Sequence, residues 1–166
     1  MEGCAFIALG SNLGDSLKIL RESMERLRQF SNVPLLQSSL WRSAPVDCPP
    51  DSPLFVNAVV GLTPLVDETP ELLLEKLQTL EREFGRQPKK IRNEPRPLDL
   101  DLIAFGSEVR DTPRLVLPHP RAQIRRFVLQ PLSEIAPQFI LPGQFKSVAE
   151  VLATLPADDG MNKVVC

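Results

Sequence analysis

Arg96-Pro97-Leu98-Asp99-Leu100-Asp101-Leu102-Ile103 sets two carboxylates inside an otherwise apolar run. In extended backbone, side chains at i and i+2 leave on the same face, roughly 7 Å apart at Cα. Asp99 and Asp101 therefore look one way, while Leu98, Leu100 and Leu102 look the other. Two like charges this close to a sheet are costly unless a cation neutralises them. Hard oxygen ligands on a rigid face suit Mg²⁺, which binds through one or two carboxylates plus substrate phosphates. The stretch from Gly85 to Arg96 just upstream carries five positive charges and one negative, in a chain of net charge −2. An Asp-x-Asp pair alone also fits a solvated edge strand, and a basic run alone fits a solvated loop. Their adjacency favours a polyphosphate–metal site.

Outward from this strand, the pattern predicts a series of elements. Residues 4–9 form a buried strand closed by Gly10-Ser11-Asn12, and Leu17, Leu20, Met24 and Leu27 recur at helical spacing to about Phe30. A second strand is expected over 35–41, followed by a loop over 43–53 with prolines at 45, 49, 50 and 53. A third strand over 54–62 puts Phe55 and Asn57 on one face and Leu54, Val56, Ala58 and Val60 on the other. Thr69-Pro70 starts a second helix, striped by Leu73, Leu77, Leu80 and Phe84 and stopped at Gly85. The aspartate strand runs to about Phe105; Gly106-Ser107 turns the chain, and a short strand returns over 114–117. Ser147-x-x-Glu150 is a capping box for a last short helix.

Strand, helix, strand, strand, helix, strand is the ferredoxin-like βαββαβ arrangement, an α+β fold with an antiparallel sheet. Helices then cover one sheet face, and the residues after Phe105 must cover part of the other face or its edges. A single domain spans 1–166. That order of elements hosts many chemistries, so the function rests on the site.

Bulk properties narrow the class. A chain of 166 residues, 43% hydrophobic and 24% charged, buries a sizeable core. An isoelectric point near 5.5 argues against general nucleic-acid binding. Cys4, Cys48 and Cys166 form neither a zinc pattern nor a disulfide framework, which suits a reducing cytoplasm. No apolar run approaches a membrane span, and the N-terminus does not read as a signal peptide. A cytoplasmic monomer acting on small molecules is expected.

Gly10-Ser11-Asn12-Leu13-Gly14-Asp15, Phe55-Val56-Asn57-Ala58, Glu94-Pro95-Arg96-Pro97-Leu98-Asp99-Leu100-Asp101, Pro118-His119-Pro120-Arg121 and Arg125-Arg126-Phe127-Val128-Leu129-Gln130-Pro131-Leu132 follow in that order. Together they closely resemble the 6-hydroxymethyl-7,8-dihydropterin pyrophosphokinase family of folate biosynthesis, from about Cys4 to Leu155. The resemblance implies Mg²⁺-dependent transfer of the β,γ-pyrophosphoryl group of ATP to the pterin's hydroxymethyl oxygen, releasing AMP. By position, Asp99 and Asp101 would hold two Mg²⁺ ions, with Arg86 and Arg96 as further catalytic residues. Asp101 or Asp99 is a candidate acceptor for the hydroxyl proton, with metal activation as the alternative. Asn57 would read the pterin amide edge, Phe55 and Phe127 would sandwich the ring, and Ser43, Ala44 and Val46 would line it. Gln78, Arg86, Arg96, Arg114, His119 and Arg125 match ATP-contacting positions, while Glu81 is read as orienting an arginine.

Three departures stand out. Asn93-Glu94 replaces a frequent Trp-Gly, Pro88 replaces an expected arginine, and Phe55 stands where Tyr is common. The loop over 85–95 holds glycine, two prolines and several charges but few apolar anchors. It is expected to be mobile without ligand and to close on nucleotide by charge more than by aromatic packing. Two rival classes fit parts of the pattern: another Mg²⁺-dependent nucleotide enzyme, such as a nucleotidyl- or glycosyltransferase using Asp-x-Asp, and a non-catalytic ferredoxin-like ligand- or RNA-binding module. The second wants exposed aromatics, yet aromatics are 5% and Tyr is absent.

Overall fold

A computed structural model describes residues 3–43, 54–85, 96–157 and 160–164. Strand β1 (Ala5–Ser11) is the apolar run expected from the sequence, and it is buried along nearly its whole length. Burial on both faces marks a central strand. β1 pairs antiparallel with β4 (Phe55–Leu62) on one side and with β5 (Asp99–Phe105) on the other.

The strand expected over 35–41 is broken in two. β2 (Leu36–Gln37) and β3 (Trp41–Ser43) both pair with β4, with one more residue on their side than on β4 between the paired segments. Ser38 lies in that gap: its backbone N–H donates to the Val59 carbonyl at 3.0 Å, and its Oγ accepts from the Val59 N–H at 2.9 Å. A hydroxyl that stands in for a ladder carbonyl is how serine interrupts regular pairing. A short last strand, β8 (Asn162–Lys163), adds to β3, so the sheet runs β5-β1-β4-β3-β8. This is the βαββαβ order, with its second strand in two pieces.

Helix α1 (Ser16–Leu27) is capped by the Asp15 carboxylate. Helix α2 (Pro70–Glu83) is capped by Thr69, whose hydroxyl accepts from the Leu72 N–H, and Pro70 sits at its first position. Gly85, just beyond it, takes the left-handed conformation (φ +92°) that ends a helix at little cost. Leu20, Leu27, Leu73, Leu77 and Leu80 of these helices bury against Ile7, Leu9, Val56, Ala58, Val60, Leu98, Leu100 and Leu102. Each such side chain contributes about 1.5–3 kcal/mol when fully buried.

Beyond β5, β6 (Arg110–Asp111) and β7 (Val116–Leu117) form a hairpin, so the returning strand is shorter than the expected 114–117. The pattern did not reveal α3 (Arg126–Ile135). It covers the second sheet face with α4 (Val148–Thr154), which starts at the expected Ser147–Glu150 capping box. Val128, Leu129, Leu132 and Val148 pack there with Phe6, Val59, Ile103 and Ala104. No helix among the described residues is long and apolar enough to cross a membrane.

Candidate active site

The register across the sheet decides which side chains share the second face. Asp99 opposes Gly10 on β1, Gly10 opposes Asn57 on β4, Asn57 opposes Trp41 on β3, and Trp41 opposes Lys163 on β8. One row therefore carries Asp99, Gly10, Asn57, Trp41 and Lys163 from edge to edge. Asp101 begins the next row, opposite Ala8. Gly10 leaves the floor between Asp99 and Asn57 bare; a Cβ there would sit 3.7 Å from the Phe55 ring and 4.0 Å from Asn57 Nδ2.

A bulge sets the phase of β5. Phe6 pairs with Ala104 but Ile7 pairs with Leu102, so Ile103 is extra. Ile103 and Ala104 consequently both face α3, and Phe105 returns to the α1–α2 side. The outer edge is supported as well. Glu81 of α2 accepts the Leu100 N–H at 2.8 Å, between the two aspartates, and the His119 N–H donates to the Ile103 carbonyl at 2.9 Å.

Around this edge several candidate residues contact one another in pairs. Arg96 lies 3.5 Å from Asp99 Oδ2 and 5.4 Å from the centre of the Phe55 ring. Its backbone is fixed by Asn12: the Asn12 N–H donates to the Arg96 carbonyl, and Asn12 Oδ1 accepts the Arg96 N–H at 2.9 Å. This clasp of Asn12 on the Arg96 backbone has no counterpart in the sequence pattern. Arg125 lies 5.4 Å from the centre of the Phe127 ring. Burial, with Arg125 beside it, pushes the His119 imidazole down to about 4 despite the opposing pull of Asp99. His119 Nδ1 accepts the Arg121 N–H at 3.2 Å, so the neutral ring carries its proton on Nε2. On β3, the Ser43 hydroxyl donates to Asn57 Oδ1 at 3.1 Å, and both residues are buried.

Asp99, Asp101, Arg96, Phe55, Asn57 and Ser43 thus stand together, with His119, Arg125 and Phe127 along the α3 border. Two candidates lie apart. Arg114 is held by Glu75 of α2 at 2.9 Å, and Gln78 is on the exposed side of that helix. Ala44, Val46, Arg86, Pro88 and Asn93-Glu94, with the expected lid, lie outside the described residues.

The donor set fits Mg²⁺. Both aspartates are half-buried on one face, and among the described residues no cluster of three His, Cys, Asp or Glu forms a closed metal cage. Two carboxylates leave positions for phosphate oxygens and water, as that ion requires. His119 spends its Nδ1 lone pair on a backbone N–H, so nitrogen ligation through that atom is not offered.

The chain is 38% identical over 152 residues to the 2-amino-4-hydroxy-6-hydroxymethyldihydropteridine pyrophosphokinase of Pseudomonas aeruginosa, covering 91% of each chain. It is 40% identical over 139 residues to the Haemophilus influenzae protein of the same name, covering 83% of this chain and 84% of that one. Among solved structures, the wild-type HPPK-DHPS of Plasmodium falciparum with pteroate shares the fold at a TM-score of 0.70 and 12% identity. That match covers 90% of this chain but 42% of the other. Residues 6–137 match the family described as 7,8-dihydro-6-hydroxymethylpterin-pyrophosphokinase, and the chain belongs to that family.

Proposed function

We propose that this chain carries out its family's reaction with the site described above. The pyrophosphoryl group of ATP passes to the hydroxymethyl oxygen of 6-hydroxymethyl-7,8-dihydropterin, a step of folate synthesis. The pterin oxygen forms a bond to the β-phosphorus, the α–β bridging bond breaks, and AMP leaves while the hydroxyl gives up its proton. The observation that supports the reading is the row from Asp99 to Asn57, which sets a carboxylate and a buried amide on one sheet face.

Asn57, steadied by Ser43, supplies donor and acceptor to the pyrimidinone edge of the pterin. Phe55 and Phe127 take its two faces; contacts from Ala44 and Val46 rest on the family resemblance alone. Arg96, Arg125 and Arg86 bind the triphosphate through their forked donors. His119, neutral at physiological pH, adds an Nε2–H donor without adding charge. Arg114, held by Glu75, and Gln78 lie apart from this group, and a nucleotide role for them rests on the family resemblance alone. Asp99 and Asp101 would hold two Mg²⁺ ions, which neutralise phosphate charge and lower the pKa of the attacking hydroxyl. Transfer of this type needs position and charge neutralisation, with no covalent intermediate on the protein.

The test is incubation with ATP, Mg²⁺ and the hydroxymethyl pterin, following nucleotide and pterin products together. AMP and pterin diphosphate in equal amounts are expected. ADP, or AMP formed equally well without pterin, would overturn the reading.

A further inference from the structure

Glu134, on the second-last residue of α3, has four donors. Its carboxylate accepts from the Ser39 N–H at 3.1 Å and the Ser39 hydroxyl at 2.8 Å. It also accepts from the Trp41 indole N–H at 2.8 Å and faces the Lys163 ammonium at 3.5 Å. Hydrogen bonds to a charged acceptor are about twice as strong as neutral ones, and here three elements meet on one side chain. Lys163 closes the cluster from outside, lying 5.4 Å from the centre of the Trp41 ring. The strand β8 that carries it is itself fixed to β3, and the Val164 N–H donates to the Leu40 carbonyl at 2.8 Å.

The cluster lies beside the pterin half of the site. Trp41 is the cross-strand neighbour of Asn57, and Ser43, two residues on, bonds to Asn57 directly. On α3, Phe127 and Glu134 are seven residues apart, about two turns or 10 Å, and within about 20° of the same helix face. One stripe of α3 thus carries the stacking ring at one end and the anchored carboxylate at the other. Between them Pro131 has no N–H to give the Phe127 carbonyl, so the helix lacks one internal bond of its own where the ring is held.

We propose that Glu134 is a positioning residue for the pterin half-site, setting Phe127 against Asn57 by pinning α3 to β3, with the C-terminal strand as its outer clamp. The proposal rests on the pterin reading above. Glu134 touches neither substrate. Its carboxylate fixes the rotation and axial position of α3, and with them the gap into which a flat ring must slide. Burial pushes the Glu134 carboxyl up, but the bonds from Trp41 and Ser39 hold it below the usual carboxylate range, so the anchor stays charged through neutral pH.

The experiment uses the full chain and its single tryptophan. Trp41 emission follows titration with 6-hydroxymethylpterin in the presence of Mg²⁺ and a non-hydrolysable ATP analogue, whose own binding is measured by calorimetry. Glu134→Ala is expected to raise the pterin Kd about tenfold while the ATP-analogue Kd moves less than about twofold. Glu134→Gln, which keeps an acceptor oxygen, recovers part of the loss, and Lys163→Ala costs about threefold in the same ligand alone. Should Glu134→Ala fail to fold, Trp41→Phe, read by calorimetry, removes a single donor and is expected to give the same ligand-selective loss at smaller size. Equal weakening of both ligands, or a lowered melting point with unchanged pterin affinity, would overturn the proposal. Wild-type protein that binds the nucleotide analogue but not pterin would instead overturn the functional reading on which it stands.

Discussion

One face of the sheet is apolar from end to end, whereas the other changes character halfway along. Under α1 and α2, Ile7, Leu9, Val56, Val60, Leu98, Leu100 and Leu102 make an unbroken floor. Under α3, Phe6, Val59, Ile103 and Ala104 are apolar, but Asp99, Asp101, Asn57 and Ser43 follow toward the far end of the same strands. The contrast shows how a chain of this size separates stability from chemistry. The same backbone carries both, and alternate residues are committed to different tasks. Leu100 lies between Asp99 and Asp101 and faces away from them, so neighbours in sequence should fail in different ways.

The sharpest break of this comparison is Asp99→Ala or Asp101→Ala. Turnover is expected to fall by about 10²–10³-fold, the scale for losing a group that stabilises transition-state charge, with the melting midpoint within about 4 °C of wild type. Appreciable AMP formation by either folded variant would remove the phosphate role from this strand. Leu100→Ala is the converse. It should cost about 2–5 kcal/mol of stability by denaturant unfolding, while protein that remains folded keeps its pterin affinity.

Within the polar half, Asn57→Ala and Phe127→Ala should each weaken pterin binding by about 1–3 kcal/mol and leave the ATP analogue nearly unaffected. Calorimetry with both ligands checks this, and equal losses would move the two residues from pocket to core. The smallest effect concerns pH. His119 titrates at about 4 in the fold against 6.5 ordinarily, so the unfolded chain binds the extra proton first. The stability it contributes is complete above pH 6.5 and is lost as pH falls toward 4. Melting curves of the ligand-free protein across that window should therefore decline less for His119→Asn than for wild type.

Much of this was legible in the sequence because period and punctuation agreed. The alternation around Asp99 and Asp101, the Leu73–Leu77–Leu80 stripe and the Thr69-Pro70 start each have one physical reading, and the fold adopts it. Helix α3 escaped because its cues conflict. Pro131 lies inside it, and Arg125 at its start makes no side-chain cap, so its register is decided by burial against Phe6 and Val59 rather than by local signals. β8 escaped for a related reason: Asn162 and Lys163 are exposed polar residues whose pairing is specified by β3. Long-range polar ties such as Asn12 to Arg96 and Glu134 to Trp41 leave no periodic trace at all. The only hint was that Trp41 is the chain's sole tryptophan, whose indole N–H is a donor in search of an acceptor.

The row from Asp99 through Gly10 to Asn57 also acts as a ruler. Its two steps are inter-strand spacings of about 4.8 Å, so the Asp99 and Asn57 positions are held about 10 Å apart by peptide hydrogen bonds. Side-chain substitution can change what stands at either mark, but it leaves the graduation itself alone. Only a slip in strand register would alter it, and a one-residue slip would turn both aspartates into the apolar floor. The separation of these two side chains is therefore as fixed as the fold.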